Sequence, residues 1–179
     1  MKILKSYVNA GSSFYLISNA INMALEMESP KDISIRYFGE IRKNDVMDRI
    51  KMLYPNQDVI SQINFEVVSN HVPCTLDSII ENSMKWNHND IIIIDVRVRT
   101  HMPSNAFDEA KTINYTLDIL SKVRDVDLIK KEQMNRIDNH TKGKCNYVEH
   151  NDFRWEMSID ENGTDLLYSV LFLKDGDSE

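Results

Sequence analysis

The sequence predicts an open, doubly wound α/β fold, a mainly parallel sheet with an antiparallel hairpin at its C-terminal end. Three observations predict it. Ile91-Ile92-Ile93-Ile94 is a run of four β-branched apolar residues, as expected of a central strand covered on both faces of a parallel sheet. Upstream and downstream of it, short apolar runs alternate with stretches of helical length in the order β-α-β-α-β-α-β. Five glycines and four prolines in 179 residues are too few for an all-β fold built on tight turns.

The elements follow in order. Ile3 to Val8 reads as the first strand, and Asn9-Ala10-Gly11-Ser12-Ser13 as a small-residue turn. Phe14 to Glu28 has helical length and two apolar stripes, one through Phe14, Ile17, Ile21, Ala24 and Leu25, the other through Leu16, Ala20, Met23 and Met27. Such a helix packs inside rather than on the surface. Ser29 to Asp32 ends it, and Ile33 to Phe38 reads as the second strand. Asn44 to Leu53 is amphipathic, with Val46, Ile50 and Leu53 on one side and a stop at Tyr54-Pro55-Asn56. Ile63 to Val68 alternates as a strand. Thr75 is a suitable N-cap for a helix from Leu76 to Trp86, with Asp77 in its first turn. After the polar turn Asn87 to Asp90 comes the isoleucine strand, Ile91 to Val96. Ser104 caps a long helix from Asn105 to about Lys122, and a charged helix is expected to continue from Asp127 to Ile137. Asp138 to Asn146 is a polar loop. FRWEMSID and TDLLYSVLFL, joined through Glu161-Asn162-Gly163, form the closing hairpin.

The length suits a single domain, 1–179, and no linker divides the chain. The 21 Lys and Arg against 28 Asp and Glu give a net charge of −7, and the longest basic run is Lys130-Lys131. A chain so charged is not expected to grip nucleic acid through a basic face. Cys74 and Cys145 stand far apart with no ligand spacing, so neither a zinc site nor a disulfide scaffold is expected. No apolar stretch suits a signal peptide or a membrane span. A cytoplasmic location is therefore expected, with no membrane insertion.

In a fold of this class ligands gather at the carboxyl ends of the strands, first of all at the turn between the first strand and the first helix. Here the backbone amides of Gly11, Ser12 and Ser13 and the positive end of the helix would form an anion or nucleotide site. A phosphate-binding loop of the form Gly-x-x-x-x-Gly-Lys-Ser/Thr also needs glycines to curl the backbone, a lysine on the phosphates and a hydroxyl for magnesium. Laid on the turn, that template puts Val8 and Ser13 at the glycines, Phe14 at the lysine and Tyr15 at the hydroxyl. Asp95, at the end of a buried strand, has two roles open to it. It could coordinate magnesium or position a water, or it could serve the structure, capping a neighbouring loop or pairing with Arg97 or Arg99, which alternation puts on its own face. His101, beside Pro103, falls just past the strand. His71, His88, His140 and His150 have no metal-ligand spacing, and no Gly-x-Ser-x-Gly elbow makes Ser12 or Ser13 a nucleophile. No catalytic residue stands out; Asp95 and His101 are the two candidates, and there is no metal site.

The stretch Gly11-Ser12-Ser13-Phe14-Tyr15-Leu16-Ile17-Ser18-Asn19-Ala20-Ile21 resembles the Gly-Ser-Gly-Lys-Thr-Thr-Leu-Leu-Asn-Ala-Leu segment of the secretion-superfamily ATPases, the motors of type II and type IV secretion and conjugation. LDSIIENSMKWNHNDIIIIDVRV, Leu76 to Val98, is similar to that family's helix, turn and "I-I-V-G-E-V-R-G" strand, with Asp95 where the family carries its Walker B glutamate. The hairpin ending in Leu171-Phe172 resembles the family's last strands. The resemblance implies a P-loop, RecA-like core. The sequence also departs from that family: Phe14 replaces the lysine, the Thr-Gly-His box is not found, and the family's N-terminal domain is not expected ahead of the turn. Ile92-Ile93-Ile94-Asp95 is similar as well to the corresponding strand of the partitioning ATPases.

The expectation that follows is a catalytically degenerate P-loop NTPase-like domain, acting as a structural or regulatory component of a secretion, conjugation or mobile-element system; the loss of the lysine to Phe14 weighs against an enzyme and leaves the question open. It would work through a protein partner or self-association and need no cofactor, ATP with Mg²⁺ being the group the resemblance would supply. The alternatives are a Rossmann-like enzyme acting on a small phosphorylated substrate through Ser12, Ser13, Asp95 and His101, and a partitioning-ATPase-like positioning adaptor.

Overall fold

Eight strands form one sheet, in the order β3-β2-β4-β5-β1-β8-β7-β6. The computed structural model describes residues 1–68, 74–100, 106–134 and 145–172. In chain order the strands are β1 (Lys2–Ser6), β2 (Ser34–Gly39), β3 (Asn64–Val68), β4 (Ile91–Asp95), β5 (Asp127–Gln133), β6 (Asn146–His150), β7 (Phe153–Ile159) and β8 (Asp165–Phe172). The helices are α1 (Ser12–Leu25), α2 (Lys43–Leu53), α3 (Gln57–Ile60), α4 (Leu76–Ser83) and α5 (Ala106–Arg124). Every pairing from β3 across to β8 is parallel, and β7 is antiparallel to both β8 and β6. The sheet is therefore mainly parallel with an antiparallel hairpin at its C-terminal edge, the fold class the sequence predicts.

Strand period divides the core in two. On one face Ile35, Tyr37, Ile91, Ile93 and Ile129 pack with Ile17 and Ile21 of α1 and Val46 and Ile50 of α2. On the other, Phe38, Ile92, Ile94 and Leu128 pack with Leu76 and Ile79 of α4 and Ile113 and Leu117 of α5. All five residues of β4 are buried, which explains why the isoleucine run has no polar alternation. Thr75 caps α4 as expected: its hydroxyl accepts from the Ser78 amide, and the Ser78 hydroxyl accepts from the Thr75 amide.

Three expectations change. The charged stretch from Asp127 is not a helix: residues 127–133 are β5, paired in parallel with β1 and β4 on either side. Lys, Glu and Gln favour helices in isolation, but hydrogen bonding between two flanking strands overrides that preference. The chain turns into this strand at Asp125, whose φ of 53° ends α5 in the left-handed region. Second, the hairpin has a third strand, since Asn146–His150 pairs antiparallel with β7. Third, the hairpin is built into the main sheet, because β8 lies parallel to β1 through Leu4↔Asp165 to Ser6↔Leu167. The expected helix start at Ser104 and Asn105 lies outside the described residues.

Candidate functional site

Parallel pairing brings the carboxyl ends of β1, β2, β4 and β5 to one edge, and parity decides which side chains meet there. Register matches Gly39 with Asp95 and Ile94 with Lys130, so Lys131 stands beside Asp95. Ile93 and Ile129 belong to the core under α1 and α2, and two residues on, Asp95 and Lys131 share that face. Lys130 points the opposite way, to Asn114 of α5 and Glu132, at 2.7 and 2.9 Å. One basic pair thus serves both faces of the sheet.

Asp95 is the centre of the cluster, with its side chain 1% exposed. Its Oδ2 accepts the Ser13 hydroxyl at 2.5 Å and the Tyr37 hydroxyl at 2.5 Å. Among the described residues its Oδ1 accepts from no hydroxyl or amide; the partner of that oxygen is the Lys131 ammonium. Both oxygens are engaged and the charge is balanced by a lysine. Burial pushes the Tyr37 phenol far above its ordinary range, and the Asp95 carboxylate pushes it further, so this hydroxyl keeps its proton and donates.

Two glycines make room for this arrangement. A Cβ on Gly39 would stand 2.3 Å from Cε1 of Tyr37, so the tyrosine ring lies over a residue with no side chain on its way to Asp95. Gly11 caps α1 with φ 71°, and a Cβ there would meet Val170 of β8 at 2.6 Å. Only glycine combines the left-handed backbone with that close approach.

The turn from Tyr7 to Gly11 leads into α1, with Asn9 also at positive φ, 62°. Ser12 and Ser13 open the helix, so its first amides have no partners within it. Beside the turn lies a cavity of about 420 Å³, lined among others by Ser12, Ser13, Phe14, Arg49, Lys131 and Gln133. Arg49, from α2, stands over the Phe14 ring with its guanidinium carbon 4.9 Å from the ring centre. Phe14 stacks on Phe153 and Tyr15 sits edge-on to Trp155, so both rings are spent on the hairpin. Burial, and then the Asp165 carboxylate, push the Tyr15 phenol up to about 12. A second cavity, of about 560 Å³, opens on the other side of Asp95 and Lys131 and includes Arg97, Glu109 and Glu132.

Gly11, Ser12, Ser13 and Asp95 are therefore brought together. Arg97 and Arg99 do not pair with Asp95: both are exposed, and their charges act on Glu109, held low chiefly by hydrogen bonds from Thr100. His101 lies outside the described residues. Tyr37, Lys131 and Arg49 are the residues sequence reasoning missed. For Tyr37 a signal existed, an aromatic two residues before a glycine in a strand that ends opposite Asp95.

No family model and no curated protein sequence matches the chain. Among solved structures it is similar to a DnaB-like replicative helicase whose structure was described with its interactions with primase, at a TM-score of 0.59 and 10% sequence identity. The match covers 88% of this chain and 52% of that one, so the chain spans about half the length of the helicase it resembles. At that identity the likeness concerns the fold alone: the protein has a RecA-like α/β fold. Among the described residues no helix is long and apolar enough to cross a membrane.

Proposed function

We propose that this chain is a P-loop NTPase-like domain that does not turn over nucleotide and serves as a structural or regulatory component. The observation that carries the reading is the closed Asp95. In P-loop NTPases the loop hydroxyl and a carboxylate at the end of a buried strand hold Mg²⁺. Ser13 and Asp95 have those residue types and lie in contact, which supports the kinship. Counting from Ser13 as that hydroxyl shifts the loop register by two: Ser12 takes the lysine position, Gly11 the second glycine and Ser6 the first. Phe14 then falls two residues past the lysine position, and its ring is stacked on the hairpin.

On either register the loop lysine is lost, and with it the point charge on the transferring phosphate. The divalent ion is not accommodated either. Asp95 already accepts two hydroxyls and an ammonium, and a second cation beside Lys131 would meet like charge in a site of low dielectric. The finer assignment, to secretion, conjugation or mobile-element machinery, is supported by the sequence resemblance around Gly11–Ile21 and Leu76–Val98.

The test is ATP turnover in Mg²⁺, following released phosphate, for the natural chain and for Asp95→Asn and Ser13→Ala. The reading expects no phosphate release that depends on either residue. Turnover abolished by Asp95→Asn would overturn it and favour the enzyme alternative.

A further inference from the structure

The cavity beside Gly11–Phe14 has the cation of a phosphate site, but on an unexpected element. Lys131 comes from β5, not from the turn, and its side chain is 24% exposed while the carboxylate it neutralises is 1% exposed. One side of the ammonium is committed to Asp95, and the lysine also lines the cavity. Arg49 lines the same cavity from α2, its position set by the Phe14 ring. Two cations from separate elements therefore face a space bounded by the Ser12 and Ser13 end of α1. Counting Asp95, the charge around the cavity is positive by one in a chain whose net charge is −7. About 420 Å³ is room for a di- or triphosphate group.

We propose that this cavity binds a di- or triphosphate without a divalent metal, the Lys131 ammonium standing where a metal ion would bridge Asp95 and the phosphate. This rests on the P-loop-like reading above and deepens it. The Ser13 and Tyr37 hydroxyls and Lys131 together satisfy Asp95, so the carboxylate holds the cation in place and does not repel the anion. Arg49 supplies a second donor with a planar fork suited to a phosphate. An anion bound in this way is held by the protein alone, and Mg²⁺ in solution competes with the site by neutralising the ligand.

The experiment is calorimetric titration with sodium pyrophosphate and with ATP, each in EDTA and in excess MgCl₂. The natural chain, Lys131→Met, Lys131→Arg and Arg49→Met are compared. Binding is expected in EDTA and is expected to be no tighter in MgCl₂. Lys131→Met and Arg49→Met should each weaken it by about tenfold or more, the loss of one charge-assisted contact, and Lys131→Arg should restore most of it. Arg49→Met leaves Asp95 and its partners untouched, so it reports on the site even if Lys131→Met does not fold. Pyrophosphate binding equal to that of ATP assigns the recognition to the phosphates; tighter ATP binding adds a nucleoside contact to the same site. Binding that requires Mg²⁺, binding unchanged in Arg49→Met, or no binding of either anion would overturn the proposal. None of these results restores turnover, so the non-catalytic reading stands or falls separately on phosphate release.

Discussion

The Asp95–Lys131 pair is open to a double-mutant cycle. At 1% and 24% side-chain exposure the two groups lie between a surface pair and a sealed one. Opposite charges in contact at an effective dielectric near 20 interact by about 4 kcal/mol, and the open side of Lys131 lets water screen about half of that. Lys131→Met leaves the carboxylate buried with two hydroxyl donors and no counter-charge, a loss of about 3 kcal/mol. Asp95→Asn retains an acceptor for Ser13 and Tyr37 and frees Lys131 to turn towards the cavity, a loss of about 2 kcal/mol. The double variant should lose about 3 kcal/mol rather than the sum of the two, a coupling of about 2 kcal/mol, well above that of an exposed ion pair. Equilibrium urea denaturation of the four proteins measures it, and in a chain of this size each kcal/mol moves the melting temperature by about 2–4 °C. Coupling below about 0.5 kcal/mol would mean that the two groups do not hold each other in solution, and the closed Asp95 would lose its basis.

Gly39→Ala should push the Tyr37 ring off its path to Asp95, because the new Cβ would sit 2.3 Å from Cε1. The expected cost is about 1–3 kcal/mol in denaturation, and the Tyr37→Phe background should reduce it only slightly, since the ring remains. In alkali, the Tyr15 and Tyr54 phenols are each pushed up to about 12, in both cases chiefly by burial. The folded state therefore holds these protons more tightly than the unfolded chain, so their contribution is fully present below pH 10, the ordinary tyrosine value, and is lost as pH rises towards 12. The last part of the tyrosinate absorbance, from the buried phenols, should appear together with loss of the helical circular dichroism signal; ionisation of all seven tyrosines well before unfolding would contradict the burial.

Much of this architecture was legible in local pattern. The isoleucine run carries the central strand because both faces of β4 are buried, the Thr75–Ser78 cap follows from side chains that act on their own backbone, and the Asn162-Gly163 turn from a glycine at φ 76°. What was not legible depends on partners distant in sequence. In DLIKKEQ only Leu128 and Ile129 are apolar enough to signal a strand, because the second half of β5 reaches the site edge, where Lys130 and Lys131 each need a polar partner on opposite faces. The misreading of β5 as helix is what hid Lys131 and left Arg97 and Arg99 as the apparent partners of Asp95. The position of Asp95 itself, and the small-residue turn it faces, could be read because strand ends and helix starts have one-dimensional signals. Its hydrogen bonds to Ser13 and Tyr37 could not, since they join β4 to α1 and β2, and the sequence does not reveal which elements flank β4.

The claim on which the rest depends is that Lys131, Ser13 and Tyr37 close Asp95 to divalent cations. Backbone amide signals of the natural chain, recorded by NMR during a titration with Mn²⁺, test it directly. Paramagnetic broadening should leave Gly11, Ser12, Ser13 and Asp95 no more affected than the surface at large. Selective broadening of those four signals at low Mn²⁺, removed by Asp95→Asn, would show a working metal site and contradict the account.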